Sequence, residues 1–358
     1  MKLTAQILLR PTDEQAAKLL ETMEAANAAC DTISEYTWRE QVFSKFKLQK
    51  ALYHQIKEEF SLSAQVVIRC MAKVADAYKL DKKTQRRFRK HGAIAYDARI
   101  LTYYEDEVSI WTMDGRKRIR CLTRPLHARL LKYQQGESDL VYRKGKFFLL
   151  ATCEVPEEDE EAVDSVLGVD LGIKELATDG DGAHFSGEVV EAKRLWYSER
   201  CAALQSVGTD SAKRRLKKLS GRERRFRRDI NHQISKRLVE KAKDTNRAIA
   251  LEDLSGIRDR VTVRKSQRAR HHSWSFFQLR SFIEYKARRA GVPIILIDPR
   301  NTSRICSVCG HCEKKNRKSQ AEFLCRSCGH SMNADHNAAL NIGAKGAFNL
   351  PMVSRCAA

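Results

Sequence analysis

Cys306-x-x-Cys309 and Cys325-x-x-Cys328, with fifteen residues between the pairs and a glycine after each second cysteine, constrain this chain more than any other feature. Two such pairs bring four thiolates within tetrahedral reach, the ligand set of a closed zinc ribbon, so one structural Zn²⁺ per chain is expected. Five of the eleven cysteines crowd between Cys306 and Cys328, which is metal-site usage rather than a disulfide framework. A chain of 358 residues, 42% of them hydrophobic, can fill real cores without cross-links. Cys312 would extend the series, but four-coordination leaves it a spare thiol.

Oxygen ligands occur elsewhere. Asp170 closes the apolar run VLGVD and Glu252 closes RAIALE, so each ends a buried strand, and in open α/β sheets such ends face the functional crevice. Asp335, in NADHNAALNIG, opens a short amphipathic helix with Ala338, Ala339 and Ile342 on one face. Singly, each acid reads equally as an ordinary cap or a solvated carboxylate. Together they are the hard oxygen set that Mg²⁺ prefers, with Mn²⁺ as substitute. Two ions about 3.5–4 Å apart could activate water and stabilise a leaving 3′ oxygen.

The rest of the chain supplies the frame. Residues 2–10 alternate as a strand. Thr12 and Gln15 form a capping box ahead of Ala16, Leu19, Leu20 and Met23, and helical spacing continues to Tyr78. From Tyr96 to Val155 the period is two, with a type I′ hairpin expected at Asp114-Gly115 and a second hairpin at Lys144-Gly145. The acidic run EEDEE after Pro156 reads as a solvated linker. Beyond it the expected order is strand, strand, a long charged helical stretch over 188–245, strand, a basic loop over 258–272, helix, strand.

Lys and Arg number 66 against 45 Asp and Glu, a net charge of +21 that calls for an anionic partner. Residues 211–247 hold fifteen basic residues against four acidic ones, and a second cluster occupies 79–92. The candidate phosphate contacts are Lys82, Lys83, Arg86, Arg87 and Arg89 in one cluster, and Arg214, Arg215, Lys217, Lys218, Arg224, Arg225 and Arg228 in the other. His232, three residues after Asp229, reads as a packing histidine. No apolar run approaches the roughly 18 residues of a membrane span, and the N-terminus lacks a secretory pattern, which points to the cytoplasm.

In combination, GVDLGIKELAT, RRFRRDINHQISKRLV, ALEDLSGI, SWSFFQLRSFIEYKA, TSRICSVCG and NADHNAALNIG resemble the TnpB family of transposon-encoded RNA-guided DNA endonucleases, relatives of the type V CRISPR effectors. The resemblance implies a multidomain α+β chain with a RuvC-like RNase H fold interrupted by the Cys₄ zinc ribbon. It puts Asp170, Glu252 and Asp335 on the family's catalytic positions. It also implies an N-terminal wedge β-barrel made of 1–11 and 93–156, with a helical recognition unit over 12–92. A linker over 157–165, a nuclease domain over 166–300, the ribbon over 301–331 and the third acidic motif with its tail over 332–358 complete the division. Asn301 stands where many members carry an aromatic residue.

The expected activity is guide-directed DNA cleavage by two-metal-ion hydrolysis, in the cytoplasm at the nucleoid. One chain would bind one guide RNA and double-stranded target DNA bearing a short flanking motif. A nuclease-inactive guided binder, a compact type V CRISPR effector and a strand-transfer transposase remain as alternatives. All three acids are present, against the first.

Overall fold

The computed structural model of the chain describes residues 1–254, 276–319 and 321–349. It divides into two compact units, Met1–Pro156 and Glu157–Ala358.

In the first unit, β1 (Lys2–Arg10) leads into three helices, α1 (Asp13–Glu40), α2 (Lys45–Glu59) and α3 (Ala64–Leu80). The alternation of β1 buries Ala5, Ile7 and Leu9. The capping box forms: the Thr12 hydroxyl accepts from the Gln15 amide at 3.3 Å, and the Gln15 side chain accepts from the Thr12 amide at 3.1 Å. There follow β2 (Ile94–Tyr96), β3 (Leu101–Tyr103), β4 (Glu107–Thr112), β5 (Gly115–Thr123), α4 (Pro125–Leu131), β6 (Gln134–Arg143) and β7 (Lys146–Glu154). The strands make one sheet in the order β2-β6-β7-β1-β5-β4-β3, so the N-terminal strand sits at its centre. Its two ends nearly close on each other. The Tyr103 hydroxyl on β3 donates to Ser138 on β6 at 2.8 Å, and the Tyr96 hydroxyl on β2 donates to the Trp111 carbonyl on β4 at 3.1 Å. One core unites Ile7, Ile110 and Leu149 of the sheet with Leu19, Ile33, Ile56 and Met71 of the helices.

Two local readings need correction. At Lys144-Gly145 both turn residues are left-handed, with φ of 51° and 75°, as a type I′ hairpin requires. At the other hairpin Thr112 pairs with Gly115, so the loop is Met113-Asp114 and only Gly115, at φ 79°, is left-handed. Neither Met113 nor Asp114 is left-handed and the register runs unshifted up to the turn, so this is not a type I′ turn. Helix α4 interrupts what reads as continuous strand. Pro125 stands at its start, where a missing amide hydrogen costs nothing.

The second unit is a five-stranded sheet in the order β10-β9-β8-β11-β12 with helices packed on it. Its elements are β8 (Ser165–Asp170), β9 (Glu175–Asp179), β10 (His184–Ser186), α5 (Glu188–Val207), α6 (Asp210–Leu219), α7 (Arg222–Asp244), β11 (Arg247–Glu252), α8 (Phe276–Ala290) and β12 (Ile294–Ile297). Strands β8, β9 and β10 form an antiparallel meander, whereas β11 and β12 run parallel to β8. The charged stretch is three helices rather than one. Gly208 and Gly221, both left-handed, break it. The EEDEE segment is exposed but engaged: Glu158 pairs with Lys243 at 3.1 Å, and the Glu161 amide donates to the Gly291 carbonyl at 3.0 Å. The basic loop over 258–272 lies outside the described residues. The small hairpin of β13 (Glu322–Leu324) and β14 (Ser331–Asn333) then leads directly into α9 (Ala334–Phe348). Among the described residues no helix is long and apolar enough to cross a membrane.

Candidate functional site

The four cysteines meet. Among the described residues they are the one group of three or more His, Cys, Asp or Glu side chains whose ligand atoms all lie within 4.8 Å of one another. Cys306 Sγ is 3.7 Å from Cys328 Sγ, and Cys309 Sγ is 3.5 Å from Cys325 Sγ. Four sulfurs about 2.3 Å from one tetrahedral ion would stand roughly 3.8 Å apart, so the cage already has nearly the right size. Two equivalent knuckles build it. The amides of left-handed Gly310 and Gly329 donate to the carbonyls of Cys306 and Cys325 at 3.0 and 3.1 Å. The amide of Cys328, 3.5 Å from the Cys325 sulfur, leads the effects that bring that thiol down to about 6. Cys312 is exposed and stands outside the cluster.

The carboxylates converge differently. β8 and β11 are parallel neighbours with Leu251 opposite Val169, so their last residues, Asp170 and Glu252, leave the sheet side by side. Asp335 is the second residue of α9 and is buried, at 6% exposure. Burial pushes the Asp170 carboxyl up to about 7, and the charges of Glu252 and Asp335 add to the effect. Burial also raises Glu252, against the Thr302 hydroxyl that donates to it at 2.5 Å. Asp335 is raised by burial as well, opposed by Arg317, whose guanidinium lies 3.0 Å from it. Asp170 thus feels both of the other acids, while the three stand further apart than the cysteines do.

Glycines fix the seat of α9. A Cβ on Gly168 would come within 2.0 Å of the Ala339 carbonyl oxygen and 2.3 Å of the Gly343 amide, and one on Gly346 would lie 2.6 Å from the Ala250 Cβ. Backbone therefore packs directly on backbone, and this close approach carries Asp335 to the end of β8. Asn333 caps the helix, accepting from the amides of Asp335 and His336 at 2.9 and 3.0 Å, so Asp335 is not itself the cap.

Three residues of this site were not singled out from the sequence. Asn337 accepts from the Ser307 amide at 3.0 Å and donates to the Ile305 carbonyl at 2.8 Å. Asn341 donates to the carbonyls of Thr302 and Ile305 at 2.8 and 2.7 Å. Both asparagines are buried, an unusual state for that residue type, and they tie α9 to the cysteine segment. Arg317 is the third. Its place in KKNRKS conceals it among solvated charges, and its contact with Asp335 spans eighteen residues.

Of the basic candidates, Lys82, Lys83, Arg87, Arg89, Arg214, Arg215, Lys217, Lys218, Arg224 and Arg225 are exposed. Arg86 is engaged within its own segment, donating to the Asp81 carbonyl at 2.8 Å and pairing with the Asp81 carboxylate at 2.7 Å. Arg228 is exposed as well, with its Nε 3.4 Å from His232. His232 stacks on Phe282 with ring centroids 3.9 Å apart, and burial lowers it to about 4, which makes it a packing residue.

Residues 150–255 match a family described as "Probable transposase", and residues 276–342 match the Cas12f1-like TNB domain. The chain is 32% identical over 231 residues to the CRISPR-associated endodeoxyribonuclease Cas12f1 of Sulfoacidibacillus thermotolerans, covering 59% of this chain and 53% of that protein. It is 37% identical over 141 residues to the TnpB-like protein MJ0751 of Methanocaldococcus jannaschii, covering 38% of this chain and 50% of that one. The chain spans about half the length of these curated relatives. Its fold is similar to that in a cryo-EM structure of a Cas12f1-sgRNA-target DNA complex, with a TM-score of 0.58 at 15% identity over 91% of this chain and 82% of that one. By its family matches and its relatives, the chain is similar to the TnpB family over the residues whose motifs carry the resemblance.

Proposed function

We propose that this chain is an RNA-guided DNA endonuclease whose cutting site is made by Asp170, Glu252 and Asp335 in a RuvC-like RNase H fold. The observation that carries the reading is the convergence of three carboxylates from β8, β11 and α9, Asp335 buried and Asp170 and Glu252 half-buried, with Asp170 held up to about 7. Such a cluster is costly without a cation, and its donors are all oxygens, which suits Mg²⁺ or Mn²⁺. The sheet order, an antiparallel three-strand meander continued by two parallel strands, supports an RNase H-like assignment.

Asp170, Glu252 and Asp335 would hold two ions, and the chemistry such ions supply is activation of water and stabilisation of a leaving 3′ oxygen. The protein's own part is to hold the ligands still. Thr302 fixes one oxygen of Glu252, Arg317 fixes one oxygen of Asp335, and the glycine-seated α9 sets the distance between the acids. The cysteine cage would bind one structural Zn²⁺ as a ribbon, and Asn337 and Asn341 would pass its rigidity to Asp335.

The first unit supplies the proposed wedge barrel, with 12–92 as the recognition helices. The exposed basic residues of 79–92 and 211–228 would hold RNA and the guide–target duplex by their phosphates. Expression with the native flanking DNA, followed by sequencing of the RNA that copurifies, tests this reading. One defined RNA, whose altered guide segment redirects plasmid cleavage in a chosen flanking context, is the expected result. Cleavage indifferent to the guide would overturn it.

A further inference from the structure

We propose that His184 is a substrate-facing residue of the carboxylate site, donating a hydrogen bond from Nε2 to a non-bridging oxygen of the phosphodiester; this rests on the nuclease reading. The register places it there. Thr178 on β9 lies opposite Asp170 on β8 and also opposite His184 on β10. Directly opposed residues on neighbouring strands project from the same face of a sheet. Extending the parallel pair of Val169 and Leu251 by one residue sets Glu252 beside Asp170. His184, Thr178, Asp170 and Glu252 therefore form one row across four strands. Gly168, two residues before Asp170 and hence on the same face, is where α9 lies, so Asp335 overlooks that row.

The surroundings of His184 suit a donor. Thr178 is 1% exposed, and its hydroxyl stands 3.2 Å from His184 Nδ1. With that hydroxyl as donor, Nδ1 is the acceptor and the ring proton sits on Nε2. The ring meets His336, the residue after Asp335, edge to face at 6.4 Å. His184 itself is exposed on an edge strand, so the fold has little need of its side chain. A phosphodiester entering a cluster of three carboxylates needs donors on its outer side. Arg317 and Lys174 act on Asp335 by their charge, and His184 extends the set of donors along the sheet beyond Thr178.

The test uses the full chain with its copurified RNA, a guide-matched plasmid and Mg²⁺, in single-turnover cleavage. His184→Ala should cut about 10²-fold more slowly with guided DNA binding unchanged, the usual loss for one donor aimed at a developing charge. His184→Gln, which keeps an N–H, should recover part of that loss, and Thr178→Val should slow cutting several-fold by freeing the tautomer. A second readout follows the ¹⁵N resonances of the His184 ring, assigned with His184→Gln, on adding the dinucleotide TpT with non-cleaving Ca²⁺. A shift of the Nε2 resonance is expected. Wild-type rates for His184→Ala would overturn the proposal even if guided cleavage is confirmed. If the wild-type protein cuts nothing, the nuclease reading fails on its own. The TpT shift then decides whether His184 faces a phosphodiester, and its absence overturns the proposal too.

Discussion

The thiolate cage and the carboxylate cluster lie in the same unit and both gather metal-type ligands, yet they are built on opposite principles. Each cysteine pair is local in sequence. Its knuckle is closed by its own glycine amide, and the sulfurs stand 3.5 and 3.7 Å apart. The acids come from β8, β11 and α9, the charges of Glu252 and Asp335 add to the rise of Asp170, and Thr302 and Arg317 steady the cluster from outside. A closed cage with all four ligands in place suits a structural ion, whereas a spread oxygen set leaves room for water and substrate. The difference teaches which site can lose a ligand and keep the fold, and which cannot.

The largest effect should follow from breaking the open site. Asp170→Ala, Glu252→Ala and Asp335→Ala should each lower cleavage by roughly 10³-fold or more, because bound metal contributes several kcal/mol to the transition state. Guided DNA binding, measured by mobility shift, should remain close to wild type, since the exposed basic residues are untouched. A Glu252→Ala protein that cuts matched plasmid at the wild-type rate would remove Glu252 from the site.

Breaking the cage should act through folding. Elemental analysis should find one Zn²⁺ per wild-type chain, and Cys306→Ser or Cys325→Ser should abolish it. Either should also loosen the segment around Asp335, because structural zinc contributes on the order of 10 kcal/mol to small domains. Cys312→Ser should leave zinc content unchanged, as its thiol lies outside the cluster.

A smaller effect separates the two sites by pH. Unfolded Asp170 ionises near pH 4, whereas the folded protein holds its proton up to about 7. Between those values, rising pH favours the unfolded chain. The stability is full below about 4 and has been lost once pH passes about 7. Asp170→Asn should therefore raise the melting temperature of protein dialysed free of Mg²⁺, with a gain that grows from pH 5 to pH 8. Its limit is about 4 kcal/mol. A gain that is flat with pH would show that burial of Asp170 is not what strains the cluster.

The cage was legible because its chemistry is written in spacing. Cys-x-x-Cys followed by glycine dictates both the ligands and the turn that presents them. The ends of β8 and β11 were legible because their apolar runs stop at an acid. What was hidden depends on contacts between distant segments. The three residues of β10 are too few to show a period, yet they place His184 in the row. Asn337 and Asn341 face the cysteine segment from a helix of which only Asp335 and the apolar face stood out in the sequence. Gly343 and Gly346, spaced three apart inside that helix, were a readable signal of close packing. In the first unit, Asp114-Gly115 matched the dipeptide preference of a type I′ turn, but the register moved the glycine one place beyond it.

The finest separation of the two sites is Gly168→Ala. The added methyl would meet the backbone of α9 at 2.0 and 2.3 Å, and backbone cannot swing aside as a side chain can. The helix must lift from β8, a shift of the kind that costs about 1–3 kcal/mol in packed cores. Lifting it carries Asp335 away from Asp170, and a displacement of about 1 Å can cost 10²-fold in rate. The cage should survive, because its knuckles close on their own amides and its link to α9 runs through asparagine side chains able to follow a small shift. Gly168→Ala protein should thus keep one Zn²⁺, melt a few degrees lower and cut markedly more slowly. Loss of zinc together with activity would show that cage and acids are one mechanical unit rather than two.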